Sequence, residues 1–321
     1  MIVKQREMPL IIPQLQALDY RLPEQHLKRP IIRGELSKQI IGYQGEKSVD
    51  YQLSHLPLNK YYILHNLRLP DNKSFFQIDT LLLSYYYILN MEIKNFGGSI
   101  YFDDHFGQVI QTQNGKEKAL PDPIYQINRQ ELQLEKWLRR HNFPFVPIES
   151  IVVFGNANTT IKAEPGSPAF EKVMHSAKIL KKLEEFDQKY KYASLKRNQV
   201  QSISDTLIKE HTPKRQDILR KYSISESEVI KGTRCPRCSA VPIQRQKRKW
   251  ICHKCGFSSK KAHLDSLQDY ALLFSPTITN QQFREFFSIP SPSTASKMLA
   301  NSEFKKNGHT KGTKYTIPLN F

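Results

Sequence analysis

The spacing of apolar residues changes several times along the chain, and each change marks an element. From Ser37, the segment SKQIIGYQGEKSVDYQLSHL carries Ile40, Ile41, Val49 and Leu53 near helical spacing. Ser37 is a candidate N-cap and Pro57 a stop. Short runs follow, rich in Ile, Leu, Tyr and Phe: YYILHNLRL, FFQIDTLLLSY, YYILNMEIKNF and SIYF. Their composition and length predict strands. Residues 124–141, IYQINRQELQLEKWLRRH, return to a helical pattern with Ile127, Leu134 and Leu138 on or near one face. IESIVVF, 148–154, reads as a short buried strand. This order predicts an α/β or α+β domain over residues 37–155.

Outside that domain the pattern is different. Residues 1–36 hold Pro9, Pro13, Pro23 and Pro30 with little periodicity, and read as an extended arm. Residues 168–222 look helical and highly charged, so 156–230 read as a helical connector. Residues 263–321 give three helical segments, LDSLQDYALLF, NQQFREFF and STASKMLANSEF, with a break at Ile289–Pro292. They close with NGHTKGTKYTIPL, a basic turn around Gly308 and Gly312 that ends strand-like.

Charge divides the chain further. Of the net +18, residues 1–155 hold 18 basic and 16 acidic side chains, and residues 156–230 hold 14 and 10. Residues 231–321 hold 16 and 4, for +12. A basic tail behind a nearly neutral body points to a polyanion partner, most simply nucleic acid, with DNA favoured. The plainer alternative is a basic surface that maintains solubility. Apolar runs such as Tyr85 to Leu89 are far shorter than a membrane helix needs, and MIVKQREMPLIIP does not read as a secretory signal. A cytoplasmic, bacterial protein is the expectation.

One chemical constellation lies in the strands. Alternation places Ile88, Asn90, Glu92 and Lys94 on one face and Leu89, Met91 and Ile93 on the other. Asp79 stands among apolar residues of the preceding strand, and a turn near Ser84–Tyr85 would make the two strands antiparallel neighbours. Asp79, Glu92 and Lys94 would then converge, and Glu46 could add a carboxylate from the helix before the sheet. Like charges buried together are costly, and a divalent cation offsets that cost. Oxygen ligands suit Mg²⁺ or Mn²⁺, and a nearby Lys suits phosphate or an attacking water. The alternative is a set of partly exposed carboxylates in ordinary ion pairs.

All four cysteines lie in CPRCSAVPIQRQKRKWICHKCG, as Cys235-x2-Cys238-x13-Cys252-x2-Cys255. Two Cys-x-x-Cys knuckles supply the four thiolates of a tetrahedral, structural Zn²⁺ site. Redox pairs or disulfides explain the paired spacing less well. The segment resembles a zinc ribbon over 231–262. Arg245, Lys247, Arg248 and Lys249 between the knuckles are candidates for phosphate contacts, and Trp250 is expected to pack over the ribbon. Three helices and a basic hairpin over 263–321 resemble a winged helix. Its third helix would present Ser293, Thr294, Ser296, Lys297 and Asn301 to a groove, and its wing would offer Lys305, Lys306, Lys311 and Lys314 to phosphates. A protein-contact role is the alternative there.

GYQGE (42–46), QID (77–79), NMEIKNFGGSI (90–100) and DPIYQINRQ (122–130), in that order, resemble the nuclease-related domain, or NERD, family of the PD-(D/E)XK superfamily. The resemblance covers about 37–155. It implies a restriction-endonuclease-like mixed sheet with flanking helices and a metal-dependent nuclease. By that resemblance Asp79 and Glu92 bind Mg²⁺, Lys94 orients or activates water, Glu46 completes the acidic site and Gln126 approaches from the following helix. SYYY (84–87) replaces the Gly-rich turn usual between the two strands. A non-catalytic DNA-binding or regulatory protein that keeps a nuclease-like scaffold is the alternative.

Overall fold

A computed structural model of the chain describes residues 1–57, 60–302, 304–309 and 312–319. It divides into two compact units: Met1–Glu7 with Ile40–Lys214, and Met8–Gln39 with Arg215–Phe321.

The first residues are not an extended arm. Strand β1 (Ile2–Lys4) is followed by helix α1 (Ile11–Arg21) and then by α2 (Arg29–Leu53). Ile12, Leu15 and Leu18 of α1 are fully enclosed, a spacing that the prolines mask in the sequence. Pro13 and Pro30 each sit in a first helical turn, where the missing N–H has no intrahelical partner to lose. Ser37 is not a cap. It lies inside α2, and its hydroxyl donates to the Arg33 carbonyl one turn back. Helix α2 ends at Leu53, ahead of Pro57. Its residues up to 39 belong to the second unit and those from 40 on to the first.

The first unit continues through β2 (Tyr62–Asp71), β3 (Ser74–Leu83), β4 (Ile88–Lys94), β5 (Ser99–Asp103), β6 (Gln108–Gln113) and β7 (Lys116–Pro121). Helix α3 (Pro123–Arg140), β8 (Ile148–Phe154), β9 (Thr160–Ala163), α4 (Ala169–Lys172), β10 (Val173–His175), α5 (Ile179–Lys189) and α6 (Arg197–Glu210) complete it. Asp122 caps α3 by accepting from the Ile124 N–H, and Pro123 opens the helix.

A six-stranded mixed sheet runs β1-β2-β3-β4-β8-β10, and a second sheet runs β7-β6-β5-β9. Strands β2, β3 and β4 are antiparallel, while β8 lies parallel to β4, as a helical crossover through α3 requires. Leu134, Trp137 and Leu138 of α3 and Val200, Ile203 and Leu207 of α6 cover one face. Val49 and Leu53 of α2 and Ile179, Leu183 and Phe186 of α5 cover the other. The expected helical connector, 156–230, is therefore corrected. Its β10 extends the main sheet, α5 and α6 are the sheet's own cover, and the chain passes into the second unit at Arg215. Amphipathic helices with apolar residues every three or four positions need a sheet to bury them, and one was at hand.

The second unit adds α7 (Ile218–Lys221), β11 (Gln244–Gln246), β12 (Lys249–Ile251), β13 (Ser258–Ser259) and α8 (His263–Leu273). It ends with β14 (Thr277–Thr279), α9 (Asn280–Phe287), α10 (Pro292–Ala300), β15 (Lys305–Asn307) and β16 (Lys314–Thr316). Two small sheets run β11-β12-β13 and β14-β16-β15. The segments expected as separate modules, 231–262 and 263–321, share one core. Cys235, Ile243, Trp250 and Cys252 cluster with Leu267, Phe283, Phe287, Ala295 and Leu299. Helix α1 belongs to the same unit: the buried Arg21 guanidinium bridges to Asp269 of α8 and donates to the Ile230 and Gly232 carbonyls.

Candidate functional site

Strand β4 carries the acidic site on the face that α3 covers. Lys94 Nζ lies 2.6 Å from Glu92 Oε1 and donates to Gln126 Oε1 at 3.0 Å. Glu92 Oε2 accepts from Gln130 Nε2 at 2.8 Å, and Gln130 Oε1 accepts from Asn90 Nδ2. Strand period two and helix spacing i, i+4 bring the two Gln residues of α3 over the Glu-x-Lys pair. Glu92, Lys94 and Gln126 thus meet as expected. Gln130 and Asn90 complete the network and were legible only as neighbours on those faces. The Asn90 Oδ1 atom is buried without a hydrogen-bond partner among the described residues.

Asp79 reaches this network through a break in strand alternation. Leu64 and Leu67 of β2 face the same core, as do Ile78 and Leu81 of β3, so both strands reverse at Asn66 and Asp79. Asn66 adopts φ 50°, a backbone region that Asn tolerates better than most residues. The β3–β4 ladder ends at Thr80–Met91, and the Asp79 carboxylate takes up the next N–H, that of Ile93, at 2.9 Å. Burial, then the charges of Glu92 and Glu46, push the Asp79 carboxyl well above the ordinary carboxylate range, against the Ile93 N–H and the Lys94 ammonium.

Glu46 is held from a direction the sequence does not reveal. Its Oε2 accepts from Arg6 Nη1 at 2.5 Å and from Asn66 Nδ2 at 2.9 Å. Arg6, nearly enclosed, also pairs with Asp50 and donates to Thr80 Oγ1 and to the Asp79 carbonyl. Burial opposes its charge, but the Asp50 hydrogen bond and the Asp50, Glu46 and Asp79 charges outweigh that and raise its pKa. Burial and the Arg6 charge lower the adjacent His65 to about 4. Two glycines let α2 approach closely. A Cβ on Gly45 would fall 2.3 Å from Asn95 Cβ, and one on Gly155 would fall 2.7 Å from the Gly45 carbonyl oxygen.

In the second unit the four cysteine sulfurs lie within 4.8 Å of one another. Cys235–Cys255 and Cys238–Cys252 stand 3.7 and 3.5 Å apart. A tetrahedral cation with sulfur bonds of about 2.3 Å needs edges of about 3.8 Å, so the donor set fits Zn²⁺. The Phe257 N–H favours a Cys255 thiolate, but burial and three neighbouring sulfurs outweigh it, and the thiol is pushed up to about 12. A divalent cation would relieve that crowding. Among the described residues no other three His, Cys, Asp or Glu ligand atoms gather in such a group, so Glu46, Asp79 and Glu92 do not form a three-ligand cluster.

Trp250 is buried between His263 and Phe287, packed as expected rather than displayed. Arg245, Arg248, Lys297 and Asn301 line one groove, together with Lys260, Lys261 and His263. Lys260 and Lys261 gave no motif to be found by, only their sign. Lys247 and Lys249 are exposed on the hairpin outside the groove lining, as are Lys305, Lys306 and Lys314 on the last sheet. Lys311 lies outside the described residues. Thr294 lines the groove, whereas Ser293 bonds Ser291 and Ser296 accepts from Asn280.

Residues 41–155 match the family model of the nuclease-related domain. That span holds Glu46, Asp79, Glu92, Lys94, Gln126 and Gln130, and excludes Arg6 and the cysteines. An uncharacterized protein of Bacillus anthracis is 28% identical over 106 residues, which are 33% of this chain and 50% of that protein. The chain thus spans about half the length of that curated relative. No solved structure matches.

Proposed function

We propose that the first unit is a metal-dependent nuclease that cleaves phosphodiester bonds, with DNA favoured, and that the second unit grips the substrate. The observation that supports this most is the Lys94–Glu92–Gln130 network beside Asp79, inside the segment that matches a nuclease-related domain. On this reading Asp79 and Glu92 hold Mg²⁺ or Mn²⁺. Bound there, the ion would neutralise phosphate charge and lower the pKa of a coordinated water.

The side chains have distinct tasks. Glu92 keeps lone pairs free beyond those used by Lys94 and Gln130, because a carboxylate accepts about four hydrogen bonds. Gln126 and Glu92 hold the Lys94 ammonium from two sides, so it meets the phosphate without a search over rotamers. There it stabilises charge that grows on the phosphate oxygens. Glu46 shapes the rim. In the second unit the four cysteines hold a structural Zn²⁺ in a zinc-ribbon-like module, next to a winged-helix-like module.

Cleavage of single- and double-stranded DNA and RNA, with Mg²⁺ and with Mn²⁺, tests the proposal. Wild type should cleave at least one substrate only with metal, and Asp79→Ala, Glu92→Gln or Lys94→Ala should each abolish cleavage while binding persists. Binding without cleavage under every condition would leave the second reading, a nucleic-acid-binding protein on a nuclease-like scaffold. One observation favours that reading: Glu46 and Asp50 are already paired with Arg6.

A further inference from the structure

The second unit contains a groove of about 690 Å³ between the β11–β12 side and α10. Arg245, Arg248, Lys260, Lys261 and Lys297 line it, and among the described residues no carboxylate does. Thr294, Lys297 and Met298 of α10 and Asn301, its C-cap, fall at helical spacing and line one part of the groove. His263, Leu264 and Met298 make part of the lining less polar.

We propose that this groove takes a single nucleic-acid strand, with its phosphates between the cations of the hairpin and those of α10. The proposal rests on the nucleic-acid role of the second unit and changes how that role is performed. A duplex reader inserts its recognition helix into a major groove about 12 Å wide, and a helix with its side chains is about 10–12 Å across. Such insertion leaves no room for a second element against the reading face. Here Lys297 and Asn301 share the lining of one groove with Arg245 and Arg248 of the hairpin. A volume in the range of small-ligand pockets, about 300–1,000 Å³, suits a short run of strand. Cations from both sides would meet its backbone, and the Leu264, Met298 and His263 surface would meet its bases. Burial, then the Arg245 charge, lowers His263 to about 4, so it remains a neutral partner at physiological pH.

The hairpin tip points the same way. Lys247 and Arg248 both adopt positive φ, 44° and 69°, in a two-residue turn that Asn-Gly would make with less strain. Two cations are kept at the tip at the expense of backbone strain.

Fluorescence anisotropy on the full-length, zinc-loaded chain in Mg²⁺-free buffer tests the proposal, with a labelled 15-nucleotide oligothymidine and a 15-base-pair duplex as probes. The single strand should bind about tenfold tighter than the duplex or better. If three to five phosphates are neutralised, its log–log salt slope should be about −2 to −3.5. Arg248→Glu and Lys297→Glu, both at exposed positions, should each weaken single-strand binding about tenfold at unchanged zinc content. A 5-bromodeoxyuridine oligonucleotide should photocrosslink to peptides from both walls of the wild-type groove.

Tighter duplex binding that depends on Lys297 and not on Arg248 would overturn the strand proposal and leave the nucleic-acid role standing. Single-strand binding indifferent to both reversals, or crosslinks elsewhere, would also overturn it. No affinity for any nucleic acid would remove the proposal together with the reading it rests on.

Discussion

Loss of zinc should unfold more than the ribbon. Cys235 and Cys252 are buried in the same core as Trp250, Leu267, Phe283, Phe287 and Leu299. Strands β11, β12 and β13 hold only three, three and two residues, too few to stand without the metal. Structural Zn²⁺ contributes about 10–16 kcal/mol in isolated zinc-binding peptides, as much as the whole stability of a typical domain at about 5–15 kcal/mol. Removing the ion therefore removes a full domain's margin. Helices α8, α9 and α10, with 11, 8 and 9 residues, should lose structure with it. They amount to roughly a quarter of the α-helical residues, so far-UV circular dichroism should fall by a comparable fraction on treatment with a strong chelator or in Cys252→Ser. Trp250 emission should shift to the red, while the buried Trp137 of the first unit stays protected. A chelated protein that releases zinc, exposes Trp250 and keeps all its helical ellipticity would refute the shared-core reasoning.

Asp79→Asn should change the pH profile of stability. The folded-state carboxyl of Asp79 lies above its ordinary 3.8, so its stabilising contribution is complete below that value and is lost as pH rises through the raised one. The amide variant should flatten that loss in thermal melts without Mg²⁺ and should gain nothing from added Mg²⁺; parallel wild-type and variant profiles would contradict this. Gly45→Ala places a Cβ against Asn95 Cβ and should cost about 1–3 kcal/mol in urea unfolding. Lys247→Asn with Arg248→Gly should relieve a strained turn and add about 1 kcal/mol to the stability of the second unit, while weakening single-strand binding in the anisotropy assay.

The strands around the acidic site were legible because their period is short and their composition strong. FFQIDTLLLSY, YYILNMEIKNF and IESIVVF fall on β3, β4 and β8. Glu92 and Lys94 share a face because a strand must alternate. Helix α1 is hidden because proline ordinarily breaks a helix, whereas Pro13 breaks nothing in a first turn. The cover provided by α5 and α6 was hidden because amphipathicity says that a face is buried and not against what. Arg6 gave no local signal: its partners Glu46, Asp50 and Thr80 lie tens of residues away, and only the β1–β2 pairing brings them near.

Glu92 and Glu46 are balanced by different means, and the difference bears on function. Glu92 is balanced by Lys94 from its own strand and steadied by Gln130. Glu46 is balanced by Arg6, from the first residues of the chain. Between them the Asp79 carboxylate has, among the described residues, only the Ile93 N–H within hydrogen-bonding distance, and its proton affinity is raised by burial first and then by the charges of Glu92 and Glu46. The carboxyl least compensated by the protein is therefore the one at the junction of the other two. A cation bound there would be attracted by all three carboxylate charges. Arg6 pairs with Glu46 and leaves the Asp79 carboxyl, with its raised proton affinity, as the group on which the two readings differ: a bound divalent cation would displace its proton, and a retired scaffold would keep it.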